Sequence, residues 1–472
     1  MNTQTKHSQT KHSHAKHSHA IVIGGSMAGL LSARVLSDHF ERVTILERDP
    51  VTDQPEARKG QAHTRHLHGL LAKGLDTMSH YFPGLTDDLT RNGAEVADMG
   101  AAMRWYVCGG YRKQFKSGMI GALMSRPLLE WTIRRRVLAL PNVTLIADCD
   151  VEKPLVSDDY KRITGVEVTQ RADGKQEKLT AELVVDASGR GSAAPKWLAQ
   201  LGFDKPEESF VKINVGYATR IFRRKPGDLE GAQLLMVAND APQGKRAGLI
   251  FPIEGDRWIC TLGGFHGDHA PLDEAGFMEF ARSLPAPDVY NMLRKLEPVS
   301  DIFPYKYPGS LRRHYEGLKR FPEGFLVLGD AMCSFNPVYG QGMTSASLQA
   351  AALDTLLKER MELTGLWRLF NKAAAQVVDI PWQLAVGEDF RYAETEGKKP
   401  AGVDFINGYV NRVHRASHHD EVVYTAFLKV MNLMAAPTSL FHPRILWRVL
   451  RGGGRAEAKP APAIQVQTAF GD

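Results

Sequence analysis

One hexapeptide, Gly24-Gly25-Ser26-Met27-Ala28-Gly29, constrains the fold of this chain more than any other segment. It follows the apolar run Ile21-Val22-Ile23 and opens a helical pattern from Leu30 to Phe40, after which Val43-Thr44-Ile45-Leu46-Glu47 reads as a second strand. Strand, tight turn, helix and strand at this spacing make a parallel βαβ unit, so the fold class is α/β with a Rossmann-like sheet. Gly24 permits the turn, and Gly29 lets the helix lie close to the strand. Backbone N–H groups from Gly25, Ser26, Met27 and Ala28 then face a pyrophosphate, aided by the helix dipole. Ser26 takes the usual middle-glycine slot, where a small side chain still allows phosphate to approach. Glu47 stands eighteen residues past Gly29 and is followed by Arg48. Its carboxylate can accept the ribose hydroxyls of adenosine and would repel a 2′-phosphate, which points to FAD or NAD rather than NADP.

A second glycine-rich segment favours the flavin. Phe325-Leu326-Val327-Leu328-Gly329-Asp330-Ala331 ends a buried strand with an acid, and Asn336-Pro337-Val338-Tyr339-Gly340-Gln341-Gly342-Met343 leads into a helix running to Glu362. Asp330 can bind a ribityl hydroxyl, and the loop brings backbone close to a flat ring. The helix aims its positive end at that ring, and a reduced flavin is anionic at N1 and C2=O.

Composition excludes several classes. The 472 residues are 43% apolar and 24% charged, enough for a large core and too ordinary for global disorder. The formal charge of +6 would suit a nucleic-acid partner. It resides in the two ends: Lys6, Lys11 and Lys16 at the start, and the Arg444-to-Lys459 cluster at the finish. Residues 21–442 sum to zero, which argues against nucleic acid. Cys108, Cys149, Cys260 and Cys333 form no C-x-x-C pair, so neither a disulfide framework nor zinc is expected, and a cytoplasmic location fits. The basic, apolar start lacks a signal cleavage pattern, and no 18-residue apolar run reads as a membrane span. Gly-x-Ser-x-Gly, His-Glu-x-x-His and the Trp-x-Trp-x-Ile-Pro segment of flavin halogenases are all missing.

The expected organisation is a His-rich disordered tail over 1–19, whose repeat from Lys6 to Ala20 carries five imidazoles. A discontinuous flavin domain follows over 20–80, 125–200 and 310–362. Ser125 to Leu140 reads as a helix before the strand Val143–Ile146, and 163–169 with 176–185 as a hairpin. Alternating apolar and polar residues assign 81–124 and 201–309 to an inserted antiparallel sheet, with tight turns at Gly109-Gly110 and Gly255-Asp256. Alternate aromatics among Trp105, Tyr106, Tyr217, Phe251 and Trp258 would face the substrate, though for any one of them core packing is the better reading. Residues 363–451 read as a helical region, then a flexible tail over 452–472. Val422 to Leu450, apolar and then basic at Arg444, Arg448 and Arg451, suits a helical cap over the flavin domain or peripheral membrane contact.

Three signatures carry a family resemblance: Gly24 to Gly29 with Glu47, Asp186-Ala187-Ser188-Gly189-Arg190-Gly191-Ser192, and Gly329-Asp330 with Asn336-Pro337. Together they resemble FAD-dependent monooxygenases of the aromatic-hydroxylase type. A closer likeness is to the bacterial branch containing polyether flavin epoxidases. It runs through Arg58-Lys59-Gly60-Gln61 to Arg65-His66-Leu67-His68, Ser125-Arg126-Pro127-Leu128-Leu129-Glu130, Asp186 to Ser192 and Phe335 to Met343, covering roughly residues 20–390.

The resemblance implies a GR2-type FAD domain and a set of roles. Arg126 would meet the pyrophosphate, while Arg58, Gly60 and Gln61 would take the ribityl and isoalloxazine side. Asp330 with Gly329 would hold the ribityl chain or pyrophosphate, and Pro337, Gly340, Gly342 and Met343 would line the flavin. Asp186, Ala187 and Gly189 would border the adenosine end. His66, His68 and Tyr339 are candidates for pocket lining or proton relay. The implied reaction inserts one oxygen atom of O₂ into an apolar, secondary-metabolite-like substrate, by epoxidation or hydroxylation through a flavin C4a-hydroperoxide. Electrons would come from NAD(P)H or a separate flavin reductase, because the Asp-Gly motif that helps with NAD(P)H reads Asp-Ala-Ser-Gly here. Reduction of an isoprenoid-like double bond is the alternative, since the same fold serves it.

Overall fold

The computed structural model describes residues 16–360 and 362–452. Its centre is a five-stranded parallel sheet in the order Phe325–Val327, Leu183–Asp186, His17–Ile23, Phe40–Leu46, Val143–Ile146. Ala20, Ile21 and Val22 have no exposed surface. Burying each of the two branched side chains contributes about 1.5–3 kcal/mol, as befits a strand covered on both faces. Ile23 pairs with Asp186 on one side and Leu46 on the other, so the carboxyl ends of the central strands finish level. Helices Met27–His39 and Gly342–Glu359 both start at this edge and pack on each other. Ligands of doubly wound sheets bind here, where two helix N-termini converge.

The first strand corrects the expected tail. His17, Ser18 and His19 belong to it, because His19 Nδ1 donates to the Thr180 carbonyl at 2.6 Å and its Nε2 bonds Thr44 Oγ1 at 2.9 Å. Thus the last of the three repeats is folded sheet, while the earlier two lie outside the described residues. A second correction concerns the hairpin. Only Gln176–Thr180 pairs with Ile163–Gln170, and Cys149–Val156 adds a third antiparallel strand. Leu183–Asp186 leaves it for the parallel sheet, since all four of its residues are buried.

The inserted sheet has eight strands, ordered Cys333–Ser334, Phe303–His314, Glu207–Arg223, Arg257–Gly264, Arg246–Ile253, Leu234–Val237, Met103–Val107, Gly110–Tyr111. Its boundary lies beyond residue 309: Phe303–His314 stays paired with Glu207–Arg223 from Thr219↔Phe303 to Glu207↔His314. One junction is parallel, Leu234–Val237 on Met103–Val107, so the sheet is mixed. Side-chain alternation gives it two distinct faces. Phe222, Trp258, Cys260 and Leu262 pack under helices Glu274–Arg282 and Asp288–Leu293. Trp105, Phe251 and Ile259 turn the other way and pack with Leu67 and Ala72 of the flavin domain.

Helices Leu366–Asp389, Val403–Ala416, Glu421–Met431 and Pro443–Gly452 complete the described chain. Glu421–Met431 buries Tyr424 and Leu428 against Trp105, and Asn432 Oδ1 accepts the Ala72 N–H at 2.9 Å, tying this region over both domains. No helix among the described residues is long and apolar enough to cross a membrane.

Candidate functional site

The glycine turn is shaped by what cannot fit there. A Cβ on Gly29 would overlap the Gly24 carbonyl oxygen. Gly24 itself adopts φ +100°, and a Cβ on it would sit 2.6 Å from the Ala187 carbonyl oxygen. The turn therefore lies directly against the Asp186–Ser192 loop. Within that loop Asp186 faces inward: its oxygens accept Ser188 N–H at 2.9 Å and the Ser188 and Ser192 hydroxyls at 2.5 Å each. The Asp186 carboxylate thus fixes the loop that was expected to border the adenosine end. Backbone from Ala187 to Gly189 borders Gly24, and nothing stands near a Cβ on Gly189.

Glu47 reaches back to the turn, accepting Gly25 N–H at 2.8 Å and Asp49 N–H at 2.9 Å. Two bonds leave half of a carboxylate's accepting capacity for ribose hydroxyls. Asp49 accepts the Gly60 N–H at 3.0 Å, which anchors the Arg58–Gln61 segment, while Arg48 is exposed beside Gly60. The two arginines converge on a residue that motif reading passed over, Glu130. It lies one helical turn after Arg126, on the same face of the helix Arg126–Leu138. Its carboxylate lies 2.6 Å from Arg58 Nη2 and 2.9 Å from Arg126 Nη1, and it accepts the Ser26 hydroxyl at 2.8 Å. Burial works to raise the Glu130 pKa, but the Arg126 and Arg58 charges outweigh it and hold the group below the usual carboxylate range.

This cradle still has donors to spare. Arg58 Nε, Arg58 Nη1 and Arg126 Nη1 are buried without a hydrogen-bond acceptor; the two Nη1 atoms lie within ion-pair distance of Glu47 and Glu130 but are not aligned to donate. Neither helix pointing at the groove has a side-chain cap: Ser26 spends its hydroxyl on Glu130, and Gln341 caps nothing. Uncapped helix starts beside two buried guanidiniums are an arrangement that an anion completes. A pyrophosphate fits the first helix start and a flavin ring edge the second.

Asp330 shows the groove's depth. It keeps accessible surface, yet crowding by protein desolvates it and raises its pKa to about 6, against the lowering pull of Arg190 and Arg126. Gly329 next to it packs on Ala28, joining the two glycine segments. At Gly340, with φ +65°, an added Cβ would stand 3.6 Å from the Gly69 carbonyl oxygen, at Gly342 one would stand 3.9 Å from Asp330 Oδ1, and Pro337 and Met343 are partly exposed along the same wall. Asn336 is fully buried; its Nδ2 donates to Asp389 Oδ1 at 2.8 Å, and Tyr339 donates its hydroxyl to the same oxygen at 2.9 Å. Asp389, which sequence reading also missed, has no exposed surface, and burial lifts its pKa to about 7. An acid at the end of a long helix, more than forty residues past the loop it serves, carries no local signal.

His66 and His68 form the seam between flavin domain and sheet. His66 Nδ1 bonds Thr219 Oγ1 at 2.8 Å, and Thr219 bonds Thr261 Oγ1 at 2.7 Å, which accepts the Leu67 N–H at 3.3 Å. Either threonine hydroxyl can donate along this chain, so Nδ1 donates or accepts according to the His66 tautomer, while Nε2 has no well-formed bond. Tyr305 and Tyr217, stacked at 6.1 Å, flank the ring, and the Tyr217 hydroxyl is likewise without a partner. Burial lowers the His66 pKa to about 4 and His68 well below its ordinary value, so both are neutral at pH 7. His68 Nδ1 donates to the His66 carbonyl at 2.9 Å.

No family model matches the chain. It is 34% identical over 435 residues to Protein Rv3254 of Mycobacterium tuberculosis, covering 88% of this chain and 89% of that protein. Kynurenine 3-monooxygenase of Salinispora tropica is 24% identical over 386 residues, with 79% and 80% covered. Among solved structures, a probable FAD-dependent monooxygenase from Pseudomonas aeruginosa, pqsL, superposes with a TM-score of 0.58 at 17% identity, covering 79% of this chain and 97% of that one. The flavin-dependent brominase Bmp2 superposes with a TM-score of 0.64 at 12% identity, covering 92% and 98%. At these identities the two structures establish the fold.

Proposed function

We propose that this chain, which belongs to the family of Protein Rv3254 of Mycobacterium tuberculosis, is an FAD-dependent monooxygenase that inserts one oxygen atom of O₂ into a largely apolar small molecule. The observation that carries this reading is the pair of buried guanidiniums, Arg58 and Arg126, set beside an uncapped glycine turn, with Arg58 Nε free of any acceptor. The relatives and structural neighbours named as monooxygenases support it.

Arg126, Arg58 and the Gly25–Ala28 backbone would hold the pyrophosphate, Glu47 the adenosine ribose and Asp330 the ribityl chain. The Gly340–Met343 backbone would meet the ring. When bound, FAD supplies the activation of O₂ and the transfer of one oxygen atom. The protein's own work is positional. Asp389 fixes Asn336 and Tyr339, and with them the loop that faces the ring. Neutral His66 joins the sheet's hydroxyl chain to the flavin side, with Nε2 unpaired beside two tyrosines. That nitrogen can hydrogen-bond a substrate, but a group with pKa about 4 does not act as an acid at pH 7. Packed aromatics on the sheet face exclude water from the space between. Epoxidation and hydroxylation both fit this arrangement, and electrons would come from NAD(P)H, directly or through a reductase.

Label from ¹⁸O₂ appearing in the product of a substrate panel would support the reading. Turnover under strict anaerobiosis with reductant would favour double-bond reduction instead, and failure of the purified protein to bind FAD would defeat both. The outer face of Pro443–Gly452, with Trp447 54% and Leu450 57% exposed beside Arg444 and Arg451, further suits peripheral contact with an anionic membrane, which would present a lipophilic substrate.

A further inference from the structure

Arg112 follows the short hairpin at the far end of the eight-stranded sheet and is only 3% exposed. Its guanidinium lies 3.9 Å from the Trp105 ring centroid, 4.2 Å from that of Phe427 and 4.8 Å from that of Tyr424. It makes one side-chain hydrogen bond, Nη2 to His414 Nδ1 at 2.6 Å, and burial together with the Arg112 charge holds that histidine neutral. Arg112 Nε and Nη1 have no acceptor. Neither does Trp105 Nε1, nor the Tyr424 hydroxyl, in the same cluster. Glu388, the acid whose charge reaches Arg112, is itself ion-paired to Arg391 at 2.7 Å, and no carboxylate bonds the guanidinium among the described residues.

Four unused donor atoms on three neighbouring side chains, around an uncompensated buried cation, are unusual. Cation–π contact offsets part of the burial cost but supplies no acceptor for in-plane N–H groups. What would complete the cluster is a single negative charge with two acceptor oxygens, which describes a carboxylate. A phosphate dianion would bring two charges to one cation inside an aromatic wall. Position adds to the argument. Trp105 lies on the sheet face that carries Phe251 and Ile259, and this face packs with Leu67, between the two histidines of the flavin side.

We propose that Arg112, Trp105 and Tyr424 form an anion anchor for the carboxylate of the substrate, a molecule with an apolar or aromatic body and one acid end. This rests on the monooxygenase reading, because it assigns the anchor to the same substrate. The reacting carbon would lie toward His66. His414 serves as a positioning residue by holding Nη2.

The test is calorimetric titration of the FAD-bound protein with benzoate and decanoate, each against its neutral amide. At least one acid should bind tenfold or more tighter than its amide. Arg112→Met should abolish that preference, Arg112→Lys should restore part of it, and Tyr424→Phe should weaken acid binding severalfold while leaving amide binding unchanged. Retained flavin absorbance shows that each variant is folded. Equal affinity for acid and amide in the unaltered protein, or no binding of either acid, would overturn the anchor whatever the variants do. Because the readout is binding, that result leaves the oxygenase reading standing, whereas absent ¹⁸O incorporation with intact acid preference would remove the oxygenase reading alone.

Discussion

Tyr339 donates its hydroxyl to Asp389 Oδ1 at 2.9 Å, so the loop facing the flavin groove is anchored by an acid from the C-terminal helical region. The same oxygen accepts Asn336 Nδ2, and Asp389 Oδ2 has no partner. Burial raises the Asp389 pKa from 3.8 to about 7. In the window between those values the folded state binds more protons than the unfolded state, so stability from this group falls as pH rises from 4 to 7. Asp389→Asn keeps the acceptor and removes the charge. Melting at pH 6 and pH 8 should therefore show a smaller pH-dependent loss in Asp389→Asn than in the unaltered protein. Asp389→Ala frees both Asn336 and Tyr339, and turnover should fall tenfold or more while FAD remains bound. An unchanged pH dependence in the Asn variant would contradict the assignment.

Arg126 and Glu130 should act in opposite directions on the cofactor. Arg126→Ala removes a buried cation from the pyrophosphate cradle. A charge-assisted bond is worth about 1.5–3 kcal/mol, so FAD affinity should drop roughly 10–100-fold. Glu130→Gln removes the acid that occupies Arg58, Arg126 and Ser26, and FAD affinity should hold or rise. Fluorescence titration of the flavin-stripped protein measures both. Equal losses in the two variants would mean that Glu130 is needed chiefly to orient the guanidiniums.

The parallel unit around Gly24 was legible because its signals are local. Turn glycines, the helix and Glu47 fall within thirty residues, and the structure places them as the spacing implies. Glu130 was within reach: i,i+4 spacing from Arg126 behind the Ser125 cap sets both on one helix face. The other omissions are long-range. Asp389 matters because the chain returns it to Asn336, and Arg112 because Tyr424 and Phe427 arrive more than three hundred residues later. The part Asp186 plays within its loop was hidden for a related reason, since only the folded loop shows Ser188 and Ser192 donating to its oxygens. Strand Phe303–His314 likewise takes its sheet from a partner eighty residues or more away.

Acid should loosen the seam between sheet and flavin domain. Burial depresses the His66 pKa from 6.5 to about 4, so the unfolded state binds more protons between those values. Its contribution to stability is complete above pH 6.5 and declines as pH falls toward 4. By pH 5 the loss from this one group is about 2 kcal/mol. Denaturant unfolding at pH 7.5 and pH 5 should show a smaller difference in His66→Gln than in the unaltered protein. An identical difference would place the acid sensitivity elsewhere.

The last helix offers a surface that its packing does not explain. Ile445 and Val449 face inward, so the exposure of Trp447 and Leu450 on the opposite side is a property of the helix's outer face. Arg451 lies 4.0 Å from the Trp447 ring, and Arg448 is paired to Asp420 at 2.7 Å, which leaves Arg444 and Arg451 as the cations beside the apolar pair. Trp and Leu beside arginines favour the headgroup boundary of an anionic bilayer, where apolar burial and charge attraction add. Co-sedimentation with phosphatidylglycerol-containing vesicles should exceed that with pure phosphatidylcholine. It should also weaken with salt and fall severalfold in Trp447→Ser/Leu450→Ser, with flavin content unchanged. Binding that ignores lipid charge would assign the patch to hydrophobic contact alone, and no binding to either vesicle would remove the membrane from this protein's partners.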